Sequence, residues 1–243
     1  MFQKTSINWL FIIICVVMLF AGCSSLNTET DLLECDAATM THFPYTDNGV
    51  IVVKHQECTP VADIPGLTRI ETFYVNEGKP ITVRAYEMCR TEIKVQDTIA
   101  WSLQPSSTSG RLDWVLPVTE GFAKENHLGM NNTDYGGGIP MIDVWQRNGG
   151  VAIGLIEPVL RTISMPIEWK RYDDKISMAL RYEFEHPVTL NTGDTLHTFS
   201  AFRYEHTGDY FNALRTFSEV MQQEAGIQLP ASEPEAFEPV WCA

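Results

Sequence analysis

The chain is short of positive charge and of familiar catalytic signatures. Seventeen Lys and Arg stand against 31 Asp and Glu, for a formal net charge of −14. A surface of that sign repels phosphate backbones and anionic headgroups, which excludes a nucleic-acid partner and direct electrostatic attraction to a membrane. There is no GxSxG, no P-loop and no GxGxxG, so hydrolase, kinase and dinucleotide-binding chemistry of those kinds is set aside. CxxC is absent too. The six histidines, His42, His55, His127, His186, His197 and His206, are scattered without HExxH or HxH spacing. That pattern argues against a metal site and reads each of them as a surface or satisfied core residue. No cofactor is implied.

Long apolar runs are also scarce. The clearest lies at the start, where Lys4 precedes Trp9 to Phe20 and small residues follow at Ala21-Gly22. A positive end, a short apolar stretch and small residues read as a secretory signal and not as a transmembrane span. Cys23 directly after Ala21-Gly22 resembles a bacterial lipoprotein signal, with bulky Phe20 as a departure from that pattern. Residues 1–22 are then expected to be removed, leaving Cys23 as a lipid-modified first residue and the lipid as the membrane attachment. Ser24 after the cysteine resembles outer-membrane sorting. An uncleaved anchor is the alternative. In an exported chain Cys35, Cys58, Cys89 and Cys242 can form disulfides, but three connectivities stay open on spacing alone.

Residues 23–48 read as a polar tether ending in a turn. From Gly49, short apolar or alternating runs bounded by Gly, Pro, Asn and Asp predict strands near 50–53, 68–75, 81–86, 99–103, 111–118, 141–145, 151–157, 163–169, 177–184 and 195–204. Asn148-Gly149 between two such runs is a hairpin signal. One segment has helical spacing: Phe211, Leu214, Phe217 and Met221, with Thr207 or Asp209 as N-cap and Gly226 past the end. About ten strands and one C-terminal amphipathic helix predict a large antiparallel β-sandwich over residues 49–226. Residues 227–239, rich in proline and acid, read as a linker, and 240–243 as the start of a second domain.

The stretch from His127 to Trp145 carries the densest local chemistry. Asn131, Asn132, Thr133, Asp134 and Tyr135 precede three glycines and a proline, and the segment from Val118 to Pro140 has no clear periodicity. A loop of that length in a compact domain is most often functional, and its polar and aromatic residues suit a hydroxyl-rich ligand; a glycine-rich structural hairpin accounts for the same composition. Glycoside hydrolysis needs two positioned carboxyl groups, yet nothing in the sequence pairs Asp134, Asp143 or Glu157. Asp143, between Ile142 and Val144, reads as a solvent-facing or hydrogen-bonded strand residue.

The run GMNNTDYGGGIPMIDVW, then NGGVAIGLIEP, HTGDYFNALRTFSEVM and FEPVWCA, resembles the N-terminal part of α-galactosidase-like glycoside hydrolases of the melibiase group, relatives of glycoside hydrolase family 36. The resemblance covers roughly residues 45 to 243. It implies a β-supersandwich preceding a (β/α)8 barrel, whose first strand begins with a pattern like Trp241-Cys242. The family's nucleophile and acid/base are aspartates on later barrel strands, so no catalytic residue is carried over. The resemblance implies a glycan ligand such as an α-galactoside, with Asn131, Asn132, Asp134 and Tyr135 as a rim loop and Trp241 as a sugar-facing wall, and the barrel domain as partner. A self-contained glycan-binding surface lipoprotein, using Tyr135 and Trp145 as a platform, is the competing expectation.

Overall fold

The computed structural model describes residues 40–47, 50–105, 114–128, 138–158 and 161–226, with the backbone alone before residue 51. Thirteen strands and one helix lie among them: β1 (Met40–Asp47), β2 (Val50–Pro60), β3 (Leu67–Asn76), β4 (Ile81–Lys94), β5 (Ala100–Leu103), β6 (Val115–Val118), β7 (Ala123–Leu128), β8 (Met141–Gln146), β9 (Gly149–Leu155), β10 (Ile163–Glu168), β11 (Lys175–Leu190), β12 (Thr195–His197), β13 (Ala201–His206) and α1 (Tyr210–Ala225). The larger sheet runs β1-β2-β3-β13-β9-β8-β5-β6 with β12 also on β3, and the smaller runs β4-β11-β10-β7. Every pairing is antiparallel. This is the expected β-sandwich with one helix near its end.

Alternation along the strands divides the core in two. Ile142 and Val144 of β8 and Ile153 and Leu155 of β9 join Ile163, Met165 and Ile167 of β10 and Met178 and Leu180 of β11 in the layer between the sheets. On the other face of the larger sheet, Met141, Ala152 and Phe202 pack under α1 with Ala213 and Val220. Successive strand residues point to opposite faces, so a strand covered on both sides reads as a nearly continuous apolar run. MIDVW is such a run. Its Gly154 neighbour on β9 has no room for a side chain, because a Cβ there would meet the Phe202 ring at 2.3 Å.

The strand pattern departs from expectation in four places. β1 occupies residues read as tether and turn, pairing with β2 from Met40↔Glu57 to Asp47↔Val50. β7 lies in the segment that showed no periodicity. Its inward residue Asn126 is polar and buried, donating to Gln104 Oε1, so hydropathy alone hides the alternation. β4 continues past Tyr86, with a register shift against β11 between Leu180 and Arg181. That irregularity buries both Met88 and Cys89, which is why the alternation breaks in the sequence. Finally, the single strand expected over 195–204 is two, β12 and β13, on either side of 198–200.

Cys58 is disulfide-bonded and Cys89 is a free, buried thiol. Each of the three connectivities open on spacing pairs Cys89, so none of them stands: its thiol is left out of the disulfide that Cys58 makes. Burial pushes the Cys89 thiol up to about 12, which keeps it protonated and unreactive.

Candidate functional site

The helix-covered face of β8 assembles the chemistry. Asp143 is fully buried on the face beneath α1, and its Oδ1 lies 2.9 Å from His206 Nε2 on β13, with β9 between them. The two side chains meet across Gly150, where a Cβ would come within 2.9 Å of His206 Nε2 and 2.5 Å of the Val144 carbonyl oxygen. A side chain at 150 would push the pair apart. Tyr204, two residues before His206, stacks against the imidazole at 5.6 Å. Asp143 Oδ2 has no hydrogen-bond partner among the described residues.

Burial raises the Asp143 carboxyl above its ordinary value, against the opposing pull of the hydrogen bond and charge of His206. Burial also opposes charge on His206, but the hydrogen bond and charge of Asp143, with help from the Thr207 carbonyl and Asp209, raise the imidazole above 6.5. The direction we assign is a His206 that holds its proton against a carboxylate. A hydrogen-bonded pair of this kind fixes the approach of β13 to β8 and leads the chain through Thr207 and Gly208 into α1.

Beside this pair the surface opens into a groove of about 500 Å³, walled by Asp97, Ile99, Trp101, Trp145, Arg147 and Asp209. Trp101 of β5 stands directly opposite Trp145 of β8. Cross-strand partners share a face, so both indoles lie on the helix side of the sheet. Trp145 is half-buried against Tyr210, with ring centroids 5.4 Å apart, whereas Trp101 is 44% exposed. Buried Gln146 fixes the wall before β5: its Oε1 accepts from the amides of Gln96 at 2.7 Å and Asp97 at 3.1 Å, and its Nε2 donates to the Lys94 carbonyl at 2.9 Å. Asp97 accepts from the Arg147 amide at 3.3 Å and faces its guanidinium at 3.9 Å. Asp209 caps α1, accepting from Phe211 N at 3.1 Å.

The residues read from the sequence as a rim loop, Asn131, Asn132, Asp134 and Tyr135, lie outside the described residues, as do Trp241 and Cys23. The structure joins Asp143 and Trp145 on one face but gives them different surroundings: Asp143 is sealed, and Trp145 forms the inner wall of the groove. Asp143 is thus the hydrogen-bonded strand residue of the two expected alternatives. In the sequence Trp101 is one residue of an expected strand and His206 one of six scattered histidines, and neither carries a local signal of the site. Only the register of β8 with β5, and of β9 with β13, brings them to the site.

No protein-family model and no curated protein matches the chain. Solved structures do. The fold is similar to that of the GH36 alpha-galactosidase AgaA from Geobacillus stearothermophilus, at a TM-score of 0.50 and 12% identity over 70% of this chain and 28% of that one. AgaB from the same organism gives 0.53 and 11% identity over 76% of this chain and 30% of that one. A doubly substituted AgaA solved in complex with stachyose gives 0.53 and 13% over the same shares. The likeness is one of fold. It agrees with the resemblance read from the motifs, and the chain spans less than a third of the length of these enzymes. Among the described residues no cluster of His, Cys, Asp and Glu could hold a metal ion.

Proposed function

We propose that these residues form the N-terminal sandwich portion of an exported α-galactosidase-like glycoside hydrolase acting on α-galactosides, with the catalytic carboxylates carried on a barrel outside this portion. The observation that carries the reading is the proportion of the fold likeness: 70–76% of this chain against 28–30% of alpha-galactosidases. The sequence motifs, which follow one another along the chain from Gly129 to Ala243, support it as well. So does the state of the acids. Asp143 is the sole fully buried carboxylate among the described residues, and it is committed to His206. Relatives of this fold have been solved with raffinose and stachyose, which supports an α-galactoside as the ligand class. Export rests on the leader and on Cys23 as the lipid-bearing residue.

The test is to follow the reading frame past the codon for Ala243 and to express the whole product. Hydrolysis of an aryl α-galactoside, abolished by replacing barrel aspartates of that product, is the expected result. A stop directly after Ala243 in an intact gene would overturn the reading. It would favour a non-catalytic glycan-binding lipoprotein, for which the exposed Trp101 in the groove is the specific support.

A further inference from the structure

We propose that the groove between Trp101 and Asp209 is a carbohydrate subsite in its own right, which stacks the C–H face of an uncharged pyranose on Trp101 and holds its hydroxyls with Asp97, Asp209 and Arg147. The proposal rests on the glycan reading above and names a place on the sandwich that meets the sugar. Four features support it. Trp101 leaves much of its indole in water on a sheet whose neighbouring aromatic, Trp145, is packed against Tyr210. An aromatic ring gives a sugar a flat apolar surface, while its large area makes exposure costly unless something covers it. The groove volume of about 500 Å³ lies within the range of small-ligand sites.

The polar groups are also held in advance. Gln146 clamps the amides of residues 96 and 97, the Arg147 amide positions Asp97, and the helix cap positions Asp209 with one carboxylate oxygen, Oδ1, engaged. Preorganised acceptors lose little conformational entropy when a ligand arrives. Charge then selects the class. Two carboxylates face one guanidinium in a chain of net charge −14, so an anionic ligand is repelled and a hydroxyl-bearing neutral one is accepted. Carboxylate oxygens accept from hydroxyls, and the guanidinium donates to them.

The experiment is ligand-observed saturation-transfer NMR on the purified protein with methyl α-galactoside, raffinose and a uronic acid. Saturable transfer to the neutral sugars, and less to the uronate, is expected. Trp101→Ala should weaken it about tenfold while Trp101→Phe keeps most of it, with both variants melting like the parent. Absence of saturable transfer, or transfer unchanged by Trp101→Ala, would overturn the subsite. The two readings fail separately. A longer product that hydrolyses α-galactosides with kcat/KM untouched by Trp101→Ala and no transfer to these residues removes the groove and leaves the enzyme reading standing.

Discussion

At the scale of single residues, the pair of Asp143 and His206 sets the strongest expectation. Both side chains are essentially closed to solvent, at 0% and 1% exposed. Removing one partner of a buried pair strands the other, and typical losses are about 3–5 kcal/mol. His206 holds its proton more tightly in the folded chain than its ordinary 6.5. A group raised on folding contributes stability that is whole below its unfolded value and drains away as pH climbs through its folded value. Asp143→Asn should therefore cost most below about pH 6.5 and progressively less above it. Thermal melting of both proteins across that range is the check, and a gap that widened with rising pH would mean the imidazole is neutral. The sequence disclosed half of this. Asp143 lay in a conspicuous motif and its strand position was legible; His206 is 63 residues away and looked like any other histidine. Spacing along the chain carries no information about a contact made over Gly150.

At the scale of elements, α1 was the most legible part of the chain, and the manner of its error is informative. Its start at the Asp209 cap and its end at Gly226, where φ is 63°, follow from side-chain capping and from the left-handed conformation that glycine tolerates. The face is turned by comparison with the stripe of Phe211, Leu214, Phe217 and Met221. The buried positions are Ala213, Thr216 and Val220, while Phe211 is 64% exposed and stacks on Tyr210 at 4.3 Å. Small residues win the contact because they let the helix axis approach the sheet closely, and the larger Leu214 and Phe217 flank it. At the far end, Arg69 of β3 grips Glu224 through Nη1 at 2.9 Å and Nη2 at 3.3 Å. Ala213→Leu should consequently destabilise by about 1–3 kcal/mol through overpacking, whereas Phe211→Ala should change stability by within about 0.5 kcal/mol. Urea titrations of the two variants measure this, and a larger loss for Phe211→Ala would reinstate the stripe read from the sequence. β7 and β1 failed for a related reason: one turns an asparagine inward, and the other is an edge strand with little hydrophobic periodicity to read.

At the scale of the molecule, the question is whether these residues can perform hydrolysis unaided. A retaining glycosidase holds its two carboxyl groups about 5–5.5 Å apart and an inverting one about 6.5–9.5 Å, with one of them protonated to serve the leaving group. The buried acid and the two acids of the groove are engaged in structure, as is Glu87. Asp143 pairs with His206, Asp97 with Arg147, Asp209 caps a helix, and Glu87 gathers Lys54, Arg90 and Arg181 around it. The groove that presents two carboxylates thus presents them as positioned hydrogen-bond acceptors, each already fixed by a donor. Residues 23–243 alone should accordingly release no galactose from an aryl α-galactoside, even while they bind the sugar and melt cooperatively. The sensitive form of the measurement is a long incubation at high protein concentration against a buffer blank, run beside Asp97→Asn and Asp209→Asn. Turnover above the blank that either substitution abolished would mean that the groove is a catalytic site and that the sandwich is an enzyme in itself. Turnover at the blank in all three, together with sugar binding that depends on Trp101, is the outcome that the committed state of these carboxylates requires.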